Sequence, residues 1–267
     1  MPIRTIYAMA QDCSRGEREG WYEFVRDYGG IARRMIEHYF PMLAPELGAH
    51  VLGLFQRARA NQNEWFRQIS FSFERDFAMV FRELLFSYGR ETARVPVPQL
   101  SLDQLRQIMQ DLPLVEREML WLFIKGYSAK EIAPMILNAA ATAEEVKKIA
   151  DQRLAQILPG TSPDAFNISA RVLMVEAEKT KSDQCVATKT FNNIVNGQIS
   201  WREREVAEEH IRDCFNCLDR FSAFQEMIYL RKSVQPLPDA EVEKVLEGLN
   251  LPSAKAKGIL GRLFSKV

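Results

Sequence analysis

Residues 210–217, with the sequence HIRDCFNC, carry the motif His-x3-Cys-x2-Cys. Residues three or four positions apart lie on one side of a helix, so His210 and Cys214 can share a face with Cys217 one turn further on. Cys185 lies 25 positions before His210 and completes a set of three thiols and one imidazole. Structural zinc sites use four such nitrogen and sulfur ligands. We therefore predict a Zn²⁺ site formed by Cys185, His210, Cys214 and Cys217.

The alternative is that these cysteines are buried free thiols and that the histidine lies on the surface. The residues between the ligands favour the metal site. Asn196-Gly197 predicts a turn, and Ser200 with Glu203 three residues later predicts a capping box that opens a helix running from Trp201 to Leu218. Four protein ligands leave no open coordination position, which a catalytic zinc needs, so we predict a structural site.

This order of elements, from Cys185 through a short helix, an Asn-Gly turn and a charged helix to His-x3-Cys-x2-Cys and another helix, resembles the zinc-binding anti-sigma factor domain. The resemblance covers roughly residues 182–232. It implies a small helical bundle in which the cysteine, the histidine and the two later cysteines bind zinc. It also implies that this bundle clamps a sigma factor.

The composition of the chain restricts the remaining possibilities. The 267 residues suggest two or three domains, and the 35 basic residues balance the 35 acidic ones, so no global attraction to nucleic acid or membrane is expected. No apolar run reaches the length of a membrane span, and we expect no signal peptide. Cys13 stands apart from the predicted zinc ligands, and an odd cysteine in addition to a metal cluster suits a reducing compartment, so we predict a cytoplasmic protein. Hydrolase, P-loop and dinucleotide-binding motifs do not occur, so we predict that the protein is not an enzyme.

Apolar residues recur at three- and four-residue steps along most of the chain, which predicts an all-α fold. We expect a helical domain over residues 14–94, with a break at Asn61-Gln62-Asn63 and one long aromatic-rich helix from Trp65 to Gly89 that supplies core side chains. Proline-bearing linkers then separate three further segments. These are residues 101–158, residues 164–233 with the zinc ligands, and a C-terminal helical tail over 239–267.

Residues 112–136, LPLVEREMLWLFIKGYSAKEIAPMI, resemble region 4 of the extracytoplasmic-function sigma factors of bacteria. The resemblance implies that residues 101–158 form a helix-turn-helix domain that binds promoter DNA. It also implies that residues 14–94, with Trp65 to Ile69 as the similar part, are a divergent region 2. In that family region 2 meets RNA polymerase and the −10 promoter element. The chain would then join a sigma factor to an anti-sigma domain.

Two features depart from the sigma pattern. The stretch from residue 44 to 59, where the family has an acidic polymerase-contacting segment, contains a single acid, Glu46. The candidate recognition helix opens with Glu144 and Glu145, and its cations are Lys147, Lys148 and Arg153, which we predict as the DNA-binding residues. Residues 101–158 hold seven cations and eight acids, so we expect any DNA binding to be weak and strongly salt-dependent.

Two functional hypotheses follow. In the first, the chain is a sigma-factor-like transcription regulator, and its zinc module contacts the sigma-like part and controls binding to the RNA polymerase core or promoter DNA. In the second, the sigma fold is degenerate and serves as an adaptor that no longer binds promoter DNA. The tail from residue 253 onward carries four cations and no acid, so it is either a solvated helix docked on the body or a segment that binds a protein partner or lipid.

Overall fold

The computed structural model of the protein describes residues 5–93, 99–136, 142–162 and 165–251. Every regular element in these ranges is helical, and the ranges contain no β-strand, so the predicted all-α class is confirmed. None of their helices is both long enough and apolar enough to cross a bilayer. Residues 137–141, most of the first linker, Pro163 with Asp164, and the chain from residue 252 onward, which includes the cationic tail, lie outside the described ranges.

The helices follow one another with short connections. Before the first linker lie α1 (Ile6–Arg15), α2 (Arg18–Tyr39), a 3-10 helix (Pro41–Glu46), α3 (Leu47–Gln68) and α4 (Glu74–Thr92). The central part contains α5 (Leu102–Ile108), α6 (Leu114–Ile124), α7 (Ala129–Ile132), α8 (Ala143–Ile157) and α9 (Ala165–Lys179). The last part contains α10 (Thr188–Asn196), α11 (Trp201–Asp213), α12 (Phe215–Ser233) and α13 (Asp239–Gly248).

These helices group into two compact units. The first contains the chain up to Ala93 and returns at Leu230, so that α13 belongs to it. The second runs from residue 94 to 229. The predicted helix-turn-helix segment and the metal-ligand segment, up to Tyr229, therefore form one unit, and α13 packs with the N-terminal helices.

Aromatic rings fill the centre of the first unit. Phe24 of α2 is fully buried, and its ring centroid lies 5.1 Å from that of Phe66 on α3 and 5.9 Å from that of Phe77 on α4, both edge-on. Aromatic pairs prefer this edge-to-face arrangement. The aromatic stripe predicted from the sequence supplies this core, with the exception of Phe73, which is 42% exposed.

The long helix predicted from Trp65 to Gly89 is wrong, because the chain leaves the helix between α3 and α4. Phe73 is the N-cap of α4, and the Asp76 carboxylate accepts hydrogen bonds from the backbone N–H groups of Ser72 and Phe73, each at 3.0 Å. An acid at this position satisfies amides that have no partner inside the helix. The predicted break at residues 61–63 is confirmed: all three residues have positive φ angles, between 51° and 65°.

The C-terminal chain of the first unit crosses α2 at a pair of glycines. The backbone N–H of Leu237 donates to the carbonyl of Arg26 at 2.9 Å. A Cβ atom on Gly29 would overlap the Leu237 side chain, and one on Gly30 would overlap the carbonyl oxygen of Gln235. Glycine inside a helix costs stability relative to alanine, and here that cost is offset by the close approach of the second chain segment.

In the second unit, α6 is the central helix and packs against α8, α9 and α11. Its residues Leu120, Trp121 and Ile124 are completely buried. The helix ends before Gly126, whose φ of 94° suits glycine, as the sequence predicts. Ser128 and Glu131 form a capping box at the start of α7, and α7 ends at Ile132, so Pro134 follows the helix.

Candidate metal centre

The four predicted ligands come together at the junction of three chain segments in the second unit. Cys185 lies in the connection between α9 and α10, and His210 lies in the last turn of α11. Cys214 separates α11 from α12, and Cys217 lies in the first turn of α12. The ligand atoms of these four residues all lie within 4.8 Å of one another. The cluster can therefore hold a metal ion.

The helix caps position these ligands. Gly197 ends α10 with a φ of 66°, and the Ser200 hydroxyl accepts from the backbone N–H of Glu203 at 3.3 Å while the Glu203 carboxylate accepts from the backbone N–H of Ser200 at 3.2 Å. The predicted turn and capping box are thus confirmed. The predicted continuous helix from Trp201 to Leu218 is wrong at one residue: Cys214 has φ −106° and ψ 111°, which is extended backbone. This break turns the chain so that Cys214 and Cys217 both face Cys185.

Donors surround the sulfur atoms. The Cys185 Sγ accepts from the backbone N–H of Ser182 at 3.2 Å and from the Asn216 side-chain amide at 3.3 Å, and the Cys217 Sγ accepts from the Val186 N–H at 3.3 Å. Hydrogen bonds of this kind favour thiolates, the form in which cysteine binds metals. The Thr180 hydroxyl accepts from the Asn216 backbone N–H at 3.1 Å and so ties the end of α9 to the start of α12.

The thiol pKa values of Cys185 and Cys217 move in opposite directions. At Cys185, burial opposes ionisation, but the donors from Ser182, His210 and Asn216 outweigh it and lower the pKa to about 6. At Cys217, burial is the largest cause, and with the neighbouring thiols it raises the pKa to about 12. Several thiolates cannot lie this close together in a buried site without a positive charge between them. A bound cation supplies that charge and deprotonates its thiol ligands.

Two further observations fit a metal ligand set. The Nε2 atom of His210 is buried and has no hydrogen-bond partner within the described ranges. Buried polar atoms without partners are rare in folded proteins, and an ion at this point would satisfy the imidazole nitrogen. The Sγ atoms of Cys185 and Cys214 lie 3.8 Å apart, well beyond a disulfide bond, and none of the four cysteines, all of them described, forms a disulfide.

The predicted DNA-binding cations lie on α8 but do not share one face. Successive residues of a helix are rotated by about 100°, so Lys148 and Arg153 project to different sides from Lys147. The Lys147 ammonium pairs with Asp151 at 2.6 Å. The Arg153 guanidinium donates to the backbone carbonyls of Ile108, at 2.8 Å, and Gln110, so it ties α8 to the end of α5.

A contact that the sequence did not reveal joins α6 to α12. The Trp121 indole N–H donates to Asp219 at 2.9 Å, and the Lys125 ammonium lies 3.0 Å from the same carboxylate oxygen. Lys125 also donates to the Ser222 hydroxyl at 3.0 Å. Its side chain has no exposed surface.

Two more polar pairs extend this contact, which we call the α6–α12 contact. The Gln225 side-chain amide donates to the Glu118 carboxyl at 3.1 Å, and the Tyr127 hydroxyl donates to Glu226. Glu118, Tyr127, Gln225 and Glu226 are all buried. The α6–α12 contact therefore combines an ion pair that has a fully buried cation with two further buried hydrogen bonds.

Only some of the aromatic residues of α12 take part in this contact. Phe215 does so, because its ring centroid lies 5.7 Å from that of Trp121. Phe221 and Phe224 instead pack on Phe191 of α10, with centroids 5.4 Å and 6.4 Å away, inside the metal-ligand segment itself. The only sequence signal for the polar part was the recurrence of polar residues at helical spacing within an otherwise apolar helix.

No protein-family model matches the chain, and neither do any of the curated proteins or solved structures with which it was compared.

Proposed function

We propose that the chain is a sigma-factor-like transcription regulator in which a metal-binding segment, residues 182–229, covers α6 and controls what the helix-turn-helix segment can bind. The observation that supports this proposal is the α6–α12 contact. It buries one side of α6, the helix in the stretch that resembles sigma region 4, beneath the helix that carries Cys217.

The chemistry of the ligand set supports zinc as the metal. Zinc accepts mixed cysteine and histidine ligands in tetrahedral geometry, with zinc–sulfur distances of about 2.3 Å, which place two sulfur ligands about 3.8 Å apart. The Sγ atoms of Cys185 and Cys214 lie at this separation. Four protein ligands fill the coordination shell, so the ion would hold the segment together and leave no position for substrate.

The metal-binding segment and α6 belong to one chain, which supports a contact between them that forms readily. A module tethered to its target reaches an effective concentration of about a millimolar with a short linker, so even a modest contact stays closed. Loss of the metal would free the start of α12 and weaken the contact with α6. The proposed regulation therefore acts through the stability of α12.

A second candidate function is an adaptor that binds neither promoter nor polymerase. The engagement of the α8 cations favours it, because Lys147 is paired with Asp151 and Arg153 is occupied by two backbone carbonyls. Specific DNA recognition requires side chains that reach phosphates and base edges. Of the three predicted cations, Lys148 is exposed, whereas Lys147 and Arg153 are half-buried.

The test compares three full-length proteins: the wild type, the double variant Cys214→Ser/Cys217→Ser, and Cys13→Ser as a matched control that changes a buried cysteine of the first unit. Metal content should be about one zinc per chain in the wild type and the control, and lost in the double variant. Binding to the RNA polymerase core and to duplex DNA at low salt should increase in the double variant only.

The outcomes separate the two candidates. If all three proteins bind polymerase or DNA equally well, the metal-binding segment does not regulate the helix-turn-helix segment. If none of them binds either partner, the adaptor function is favoured. A fully folded wild type without zinc would contradict the metal assignment.

A further inference from the structure

Glu118 is a buried acid in the middle of the α6–α12 contact. The residue is 4% exposed, and the Nε2 amide of Gln225, itself 4% exposed, donates to Glu118 Oε2 at 3.1 Å. No cation lies within ion-pair distance of Glu118 in the described part of the chain. An ionised carboxylate in such surroundings would be an uncompensated buried charge, which is strongly unfavourable.

The partner amide points to the protonation state. The Oε1 atom of Gln225 is buried and receives no hydrogen bond from any described residue. A neutral carboxyl group has an O–H donor, and an amide offers one N–H donor and one carbonyl acceptor. A neutral Glu118 can therefore satisfy the Gln225 oxygen while accepting from its nitrogen. An ionised Glu118 has only acceptors and could not donate to that oxygen.

We propose that Glu118 is held as the neutral acid in the α6–α12 contact and that its ionisation at mildly alkaline pH loosens the packing of α12 on α6. The proton remains on the carboxyl while the two helices are packed together. When it leaves to solvent, the pair with Gln225 loses one hydrogen bond and gains a buried negative charge. Glu118 is thus a pH-sensitive element of the contact.

The charges around Glu118 agree with this assignment. On α11, Arg204 and Glu208 pair with each other at 2.6 Å, so their fields on Glu118 oppose one another. On α12, Asp219 is paired with Lys125, and Glu226 accepts from Tyr127. Burial is the largest cause acting on the Glu118 carboxyl and raises its pKa to about 8, against a smaller lowering by the Gln225 hydrogen bond.

The raised pKa of Glu118 gives the pH dependence a defined sign. The folded protein holds this proton more tightly than the unfolded chain, in which the glutamate pKa is near 4.5. The stability that the neutral pair contributes is complete below about pH 4.5, decreases as the pH rises, and is lost once the pH passes about 8. If the metal-binding segment regulates α6 as proposed above, α12 separates from α6 more readily at alkaline pH.

The experiment measures urea unfolding of the full-length wild type and of Glu118→Gln at about pH 6 and about pH 9. The amide introduced by E118Q would pair with Gln225 through the same two hydrogen bonds but cannot ionise. The unfolding equilibrium constant of the wild type should rise about 100-fold more than that of E118Q between these pH values. Both proteins have the same four metal ligands, so any titration of the thiols affects them equally.

A second measurement does not depend on unfolding. Infrared difference spectroscopy near neutral pH should show a protonated-carboxyl band in the wild type that is absent from E118Q. Equal pH dependence of the two proteins, or the absence of that band, would overturn the proposal. If the band and the pH dependence are present but polymerase and DNA binding do not change over the same pH range, Glu118 is protonated as proposed. The metal-binding segment then does not regulate binding by the helix-turn-helix segment.

Discussion

The replacement Asp219→Asn tests the buried ion pair on which the α6–α12 contact depends. The D219N amide would keep an oxygen that can accept from the Trp121 indole, but it would remove the negative charge that lies 3.0 Å from the Lys125 ammonium. The Lys125 side chain is fully buried and the Asp219 side chain is 14% exposed, so water cannot solvate the Lys125 ammonium once the carboxylate charge is removed. Removing one partner of a buried ion pair typically costs about 3–5 kcal/mol.

The structure places the expected cost at the lower end of that range. Lys125 would keep two neutral acceptors, the Ser222 hydroxyl at 3.0 Å and the backbone carbonyl of residue 219 at 3.4 Å. We therefore expect D219N to lower the free energy of unfolding by about 3 kcal/mol. Urea unfolding followed by circular dichroism and by tryptophan fluorescence measures this change.

A double-mutant cycle with Lys125→Met isolates the pair. The double variant has no buried charge at this point, so it should recover much of the stability, with a coupling energy of about 2 kcal/mol. Asp103→Asn is the control, because its partner Arg106 is 56% exposed and exposed pairs contribute about 0.5 kcal/mol or less. A cost below about 1 kcal/mol for D219N together with zero coupling would refute the reasoning.

Three further predictions concern other parts of the molecule. Removing the metal with a chelator should lower the melting temperature of the full-length protein, and adding zinc back should restore it. A melting temperature that does not change on chelation would contradict a structural role for the metal. Arg153→Ala should lower the stability of the protein by about 2 kcal/mol, because the charged donor to two backbone carbonyls is lost. Lys148→Ala should change stability by no more than about 0.5 kcal/mol and should affect only DNA binding at low salt. Equal stability of the two variants in thermal unfolding would refute these different roles. Gly30→Ala should lower the free energy of unfolding by about 2 kcal/mol or more, because its methyl group would meet the carbonyl of Gln235. Gly48 in α3 faces open space, so Gly48→Ala should raise stability by up to about 1 kcal/mol. Similar denaturation midpoints for both alanine variants would argue against the close approach of the chain to α2.

The local parts of the site could be predicted from the sequence. The spacing of His210, Cys214 and Cys217 indicated the ligand set, and the structure places these atoms with Cys185 in one cluster. The caps at Ser128 and Ser200 were also predictable, because a capping box depends only on residues three positions apart. Signals of this kind are contained within one turn of helix.

The long-range contacts were not predictable. Polar residues in α12, such as Gln225 and Glu226, would ordinarily lie on the solvated face of a helix, and only the position of α6 makes them buried partners. The docking of the chain near Leu237 on the Gly29-Gly30 pair likewise joins residues more than two hundred positions apart. The break at Phe73 depended on a cap by Asp76 that competed with an uninterrupted apolar pattern.

The extended residue at Cys214 has a consequence for the orientation of α12. Because α12 begins at the next residue and Cys217 lies in its first turn, two ligands anchor the helix at a fixed angular position. Asp219, Ser222 and Glu226 are rotated by about 200°, 140° and 180° from Cys217, so most of the side that faces α6 is turned away from the cysteine cluster, whereas Gln225 lies about 80° from Cys217. An ion bound by these four residues would thus set the rotational phase of α12. A one-residue slip would turn every contact residue by about 100° and leave Lys125 facing the wrong side chain.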